Sequence, residues 1–557
     1  MKFTLLWITL LIACGPGRRE GTNGDDSPGA DAACGRECSP DLHSIIDCNG
    51  NVIEACGGGN ACDPTTYTCQ DACAAAEANH RSVGCDYYAT LMDTMTQGYC
   101  FAVFVANTWS SPAHIEVEYN GQTLNTQGFT RIPSGSGPTL TQGAYDAVAG
   151  VPPGEVAILF LGGTQGSAPN CPVTPAASTA QISGTGIGKA FRIKTDVPTV
   201  AYQINPYGGG SVAVTAASLL LPTSVWDTNY VAVNVSAQAA GYPSLNIVAR
   251  EDNTVVTLTP NATVTGGAGI PAGTAGQPLT INLSKGQHAQ ITQSTELTGS
   301  AISSTKPVGF MAGQTCMNMP VGTSYCDHGE QMVPPVKALG RRYVGVMYRP
   351  RVASETSTFW RVVGAVDGTQ LTYSTAVGGP MTLSKGQSVI FQTGTPFTVE
   401  SQDNDHPFML FTYMTSSQHV TEGYGDPDFV TSVPPEQYLR QYVFFADPTY
   451  PESNLVVIRS RGNDGQFKDV NLDCAGPLTG WAPIGNGDYE FARKDLMTGN
   501  FAAVGACSTG RHEIKSDAPF GLWVWGWGTP QTSTFTANVS YGYPGGMNVA
   551  PINTVIF

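Results

Sequence analysis

The sequence predicts an all-β protein: four tandem β-sandwich-like repeat units of about 100 residues, following a small disulfide-rich module. Three observations carry that expectation. Of 557 residues, 65 are glycine and 38 proline, and only 13% are charged. Such a chain is rich in turns and poor in solvated helix surface. Three motifs recur in the same order at intervals near 100 residues, which marks internal duplication. Apolar residues alternate with small polar ones in short runs, the period of half-buried strands. A β-propeller is the alternative architecture, because repeated strands also build blades.

The elements follow in chain order. Met1 and Lys2 form a basic start, and Phe3 to Leu11 form an apolar run. The run is too short to span a bilayer, which needs about 20 apolar residues. Leu11-Ile12-Ala13-Cys14 looks like a bacterial lipobox. That likeness implies a signal peptide over residues 1–13 and a lipid on Cys14. Gly15 stands where an inner-membrane retention signal would place Asp. The expected location is therefore the outer membrane of a Gram-negative bacterium, at the cell surface. Residues 14–33 carry almost no large apolar side chain and read as a flexible tether.

Residues 34–85 hold Cys34, Cys38, Cys48, Cys56, Cys62, Cys69, Cys73 and Cys85. So small a piece lacks a core and needs staples. In an exported chain these are disulfides rather than zinc ligands. Setting Cys14 aside leaves 14 cysteines, enough for seven bridges. Isolation in the sequence favours Cys316 with Cys326 and Cys474 with Cys507. Connectivity within 34–171 is not deducible. The Ala-rich stretch Asp71 to His80 is the one short helix expected.

Beyond the module, four units are placed at 86–217, 218–333, 334–433 and 434–557, the last with a C-terminal tail. Leu283-Ser-Lys-Gly-Gln287 recurs unchanged as Leu383-Ser-Lys-Gly-Gln387. Pro198, Pro307, Pro407 and Pro519 each end a polar stretch and open an apolar run; their spacings are 109, 100 and 112. A third block runs from Leu221-Pro222 to Tyr230, from Pro334-Pro335 to Tyr343 and from Pro434-Pro435 to Tyr442. In the second unit, strands are expected over 230–235, 244–249, 254–258, 279–283, 288–292, 301–303 and 308–311. Seven strands per unit suit a sandwich. The recurring proline fits the first residue of an edge strand.

Few constellations suggest chemistry. Asp327, His328 and Glu330, beside Cys326, read as metal ligands or an acid–base pair, or as a polar turn clipped by a disulfide; the turn is favoured. Gly184-Thr-Gly-Ile-Gly-Lys189 imitates a phosphate loop but lacks the spacing and the following helix. Asp403-Asn404-Asp405 reads as a solvated turn rather than a calcium loop. Trp523, Trp525 and Trp527 alternate along one strand face. They are candidate binding residues, as a platform for sugar rings or a partner, against the favoured reading of a buried core strand. No catalytic residues, metal site or cofactor are assigned.

The blocks Cys100 to Thr108, Gly188 to Pro198, Leu219 to Trp226, Ile247 to Val255, Cys326 to Gln331 and Ser540 to Gly546 resemble the N-terminal domain of the IgGFc-binding protein family. The resemblance spreads over about residues 85–550. It implies a non-catalytic binding or adhesion role at a surface, toward an extracellular protein or glycan, with the lipid holding the chain to the membrane. A net charge of −16 argues against nucleic acid as a partner. The rivals are an enzyme acting on extracellular polysaccharide and a structural envelope protein.

Overall fold

A computed structural model describes residues 35–164, 170–178, 180–209, 212–235, 240–420, 424–462, 464–531 and 536–557. Cys14, the 14–33 tether and Cys34 lie outside them. Strand dominates the regular structure and helix is scarce; the strands pair antiparallel throughout the sheets, and the four units have strands spanning 84–220, 227–332, 342–431 and 439–544.

Unit two shows the rule. Asp227–Val231, Thr254–Thr259 and Leu279–Leu283 make one sheet with the first half of the long strand Ala301–Met317. Pro243–Ala249, Gln287–Thr292 and Asp327–Met332 make a second sheet with its other half. One strand thus serves both layers, as strands do at the corners of packed sheets. Alternation decides which side chains fill the gap. Val256, Leu258, Ile281 and Leu283 face inward from one sheet, and Leu245, Ile247, Ala289 and Ile291 from the other. This is a two-layer sandwich rather than the single-sheet blade of a propeller.

The same pairing scheme recurs in the other three units. Phe191–Ile204 is the shared strand of unit one and Gly510–Trp527 that of unit four. In unit three it breaks into Phe397–Ser401 and Phe408–Met414, and the two sheets separate. The four recurring prolines stand where the chain changes sheets. Around Pro307, Ser303 pairs with Asn229 but Val308 already pairs with Asp227. The prolines therefore do not open edge strands, as the sequence suggested. They mark the bend inside the long strand, or in unit three the gap between its two halves, at a break in the ladder where no N–H is missed.

The four units close into a ring. Their last strands, Ala217–Leu220, Asp327–Met332, Asp428–Thr431 and Ser540–Pro544, pack in that order, and the fourth returns to the first. All four strands are buried. The Gln331 side-chain amide donates to Ala217 O at 2.8 Å and to Gly542 O at 3.0 Å, joining units two, one and four. The tail then straps the assembly. Val549 N donates to His80 O, Asn548 N to Gln437 O, and Asn553 Nδ2 to Val336 O and Leu339 O.

The cysteine-rich module packs on unit one. His43 stacks on Trp109 with centroids 4.1 Å apart, and the Trp109 indole donates to Gly58 O. Bridges join Cys38 to Cys62, Cys56 to Cys69 and Cys73 to Cys85. The last ties the helix Ala72–Ala78, capped by the Asp71 carboxylate, to the first strand of unit one. Cys100–Cys171, Cys316–Cys326 and Cys474–Cys507 are also bonded.

Candidate functional site

Trp523, Trp525 and Trp527 are all buried, so they form no open platform. Their strand faces unit three: Trp523 donates to Thr431 O at 3.1 Å, and Trp525 packs against Tyr348 with centroids 5.2 Å apart. Trp527 donates to the Glu452 carboxylate under the Arg349 guanidinium. The indoles fill the joint between two units, which the local alternation alone does not reveal.

Asp327, His328 and Glu330 do not form a turn. They lie on the innermost strand of unit two, fully buried. Cys316–Cys326 links the end of the long strand to the start of this one. Asp327 accepts from Thr215 N and Ser540 N, and Glu330 accepts from Gln203 Nε2 at 2.6 Å. Burial raises the Asp327, Glu330 and Asp428 carboxyls above the ordinary carboxylate range. Sealed from solvent, they are structural groups of the ring centre.

Asp403 accepts from Asp405 N and His406 within its own exposed turn. Gly186–Lys189 is a strand paired with Gln287–Thr292, and no helix follows it. Among the described residues, one set of His, Cys, Asp and Glu has ligand atoms close enough for a metal: Asp473, Cys474 and His512. Cys474 is bonded to Cys507, so it offers no thiolate.

Among the described residues, one open feature that combines shape with chemistry is a cleft of about 580 Å³ between units one and two. Asp93 forms part of its lining and is almost buried. Gln290 Oε1 accepts from Asp93 N at 2.8 Å, and Gly184 N donates to Asp93 Oδ2 at 2.8 Å. The strand Gly186–Lys189, lent by unit one to the sheet of unit two, brings Gly184 there. Thr315, near the end of the long strand, clasps both rims: Met95 N donates to Thr315 O, and Tyr242 N to Thr315 Oγ1. Gly241 permits this approach, since a Cβ there would lie 2.5 Å from Cys316 N. Tyr242 and Met95 are each 54% exposed. A second cleft of about 520 Å³, between units one and four, has no charged side chain in its lining. Neither cleft is legible in the sequence; a tyrosine and an aspartate on separate units carry no local signal.

A family model described as IgGFc binding protein matches residues 216–526, from the last strand of unit one to the penultimate residue of the unit-four long strand. The chain belongs to this family. It is also similar to the IgGFc-binding protein of Homo sapiens, 25% identical over 296 residues. The likeness covers 52% of this chain and 5% of that much longer protein. The family match therefore includes the whole of units two and three, the ring centre strands of both and one wall of the Asp93 cleft.

Proposed function

We propose that this chain is a lipid-anchored, non-catalytic protein of the outer membrane that binds an extracellular protein at the cell surface. Membership of the IgGFc binding protein family carries the reading. The human relative is named for IgG Fc binding; for this chain the proposal is a protein ligand, with IgG one candidate among many. A closed ring of sandwiches supports it, because rigid scaffolds that present loops and clefts suit recognition. Cys14, within its lipobox, supplies the anchor. A second reading, a glycan ligand, is favoured by the uncharged cleft, where Phe501 and Tyr207 lie beside Gln142 and Asn500.

The test is an array of extracellular proteins, human IgG Fc included, and of glycans, probed with the full chain. A turnover assay follows on any polymer that binds. Saturable binding to a protein without turnover is the expected result. Turnover lost with a single carboxylate substitution would make the chain an enzyme, and a blank array would leave a structural envelope role.

A further inference from the structure

We infer that the Asp93 cleft is the docking site for a protein loop that inserts a lysine or arginine flanked by apolar side chains. The inference rests on the protein-ligand reading and names its surface and the chemistry of its partner.

Charge comes first. Asp93 is almost buried, and burial raises its carboxyl above the ordinary carboxylate value. Among the described residues, none of the lysine, arginine or histidine ion pairs involves it. Buried His328 acts on Asp93 only at longer range, and burial outweighs it. A carboxylate in a cleft with no directly paired cation is costly to ionise, and an arriving ammonium or guanidinium relieves that cost. The group is also fixed before any ligand arrives. Its main-chain amide is tied to Gln290, and Gln290 Nε2 donates in turn to Ile182 O and Gly184 O. Such preorganisation lowers the ordering cost of binding. The net charge of −16 draws basic partners over longer range.

The rim supplies the apolar contacts. Eleven large apolar side chains are exposed among the described residues, and two of them, Met95 and Tyr242, line this cleft. Met95 and Tyr242 flank Thr315 directly. Tyrosine and methionine around a desolvated charge are the composition of protein-binding hot spots.

The experiment selects a phage-displayed library of disulfide-cyclised random heptapeptides on the immobilised full chain. Enriched peptides are expected to share one lysine or arginine between apolar residues. Replacing that residue by glutamine should weaken a synthesised peptide by about tenfold or more, and so should Asp93→Asn or Tyr242→Ala in the chain. Asn at 93 still accepts from Gly184 N, and Tyr242 is exposed, so both variants keep the fold; Asp403→Asn, in a separate turn, should change nothing. Selection of peptides without a cation, recovery of none, or equal binding by Asp93→Asn and the parent would overturn the inference. A protein ligand from the array whose affinity ignores Asp93→Asn and Tyr242→Ala would overturn the site and leave the binding reading standing. A blank protein array would count against that reading itself.

Discussion

The Tyr230 hydroxyl donates to the main-chain oxygen of Val308 at 2.7 Å, one residue beyond Pro307. The bond recurs in every unit: Tyr343 to Phe408 O at 2.7 Å, Tyr442 to Phe520 O, and Tyr87 to Thr199 O at 2.6 Å. In each case the acceptor follows the recurring proline. The Asp227, Gly340 and Leu439 amides donate back to the tyrosine oxygens of units two to four. Where the long strand changes sheets, its ladder is interrupted and the proline brings no N–H. The tyrosine supplies a donor at that break.

Tyr230→Phe should therefore destabilise the chain by about 1–3 kcal/mol, the cost of leaving buried partners unsatisfied. Urea unfolding followed by tryptophan fluorescence measures it. A midpoint equal to that of the parent at unchanged slope would show that the bend is held by packing alone.

A second expectation concerns pH. Asp327, Asp426, Asp428 and Glu330 are buried about the ring centre, near His328, Gln203, Ser540 and the buried Arg351–Glu355 pair. Burial pushes Asp426 up to about 8 and raises the other three carboxyls. The folded chain thus retains protons that the unfolded chain releases above roughly pH 4. Stability is fullest below that value and falls as pH rises through the folded values. The thermal midpoint should be lower at pH 9 than at pH 6. Asp426→Asn, which can still accept from Ser417 N, should narrow the difference. A midpoint that rises toward pH 9 would contradict the assignment.

How far the sequence speaks depends on the range of the interaction. Strand positions within a unit were legible because alternation is local: the expected 254–258 and 279–283 match Thr254–Thr259 and Leu279–Leu283. The expected 301–303 and 308–311 are one strand, Ala301–Met317, because its bend is made by a tyrosine 78 residues away. Asp327–Met332 carries no core-strand signal in the sequence, because charged residues rarely line a core and here the ring of four units buries them. The two identical Leu-Ser-Lys-Gly-Gln turns fold alike. Gln287 Oε1 accepts from Ser284 N, and Gln387 Oε1 from Ser384 N. The Asp93 cleft left no trace in the sequence, since its walls come from different units.

Cys14 can be tested apart from the fold. Replacing it by Ser should move the protein from the membrane to the soluble fraction of fractionated cells. Equal retention of the Cys14→Ser chain in the membrane would refute the lipid anchor.

The last expectation follows from the ring itself. Repetition in the sequence suggests separable modules, each lending one copy of a binding surface to the whole. The units instead share their interior. Asp327, His328, Glu330 and Gln331 are buried where the innermost strands of units one and three pack on that strand and Ser540 and Gly542 of unit four hydrogen-bond to it. Excised, residues 218–333 would present this strand to water and leave Gln331 without its acceptors on Ala217 and Gly542. The segment would also lose the strand Gly186–Lys189 from its sheet edge. An open edge beside an uncovered apolar face favours association. Expressed alone, the segment should lack a cooperative thermal transition or should self-associate, as read by circular dichroism and sedimentation. The full chain should unfold over units one to four together. A monomeric 218–333 with its own sharp transition would show that the units are independent modules and that the ring contributes little to their stability.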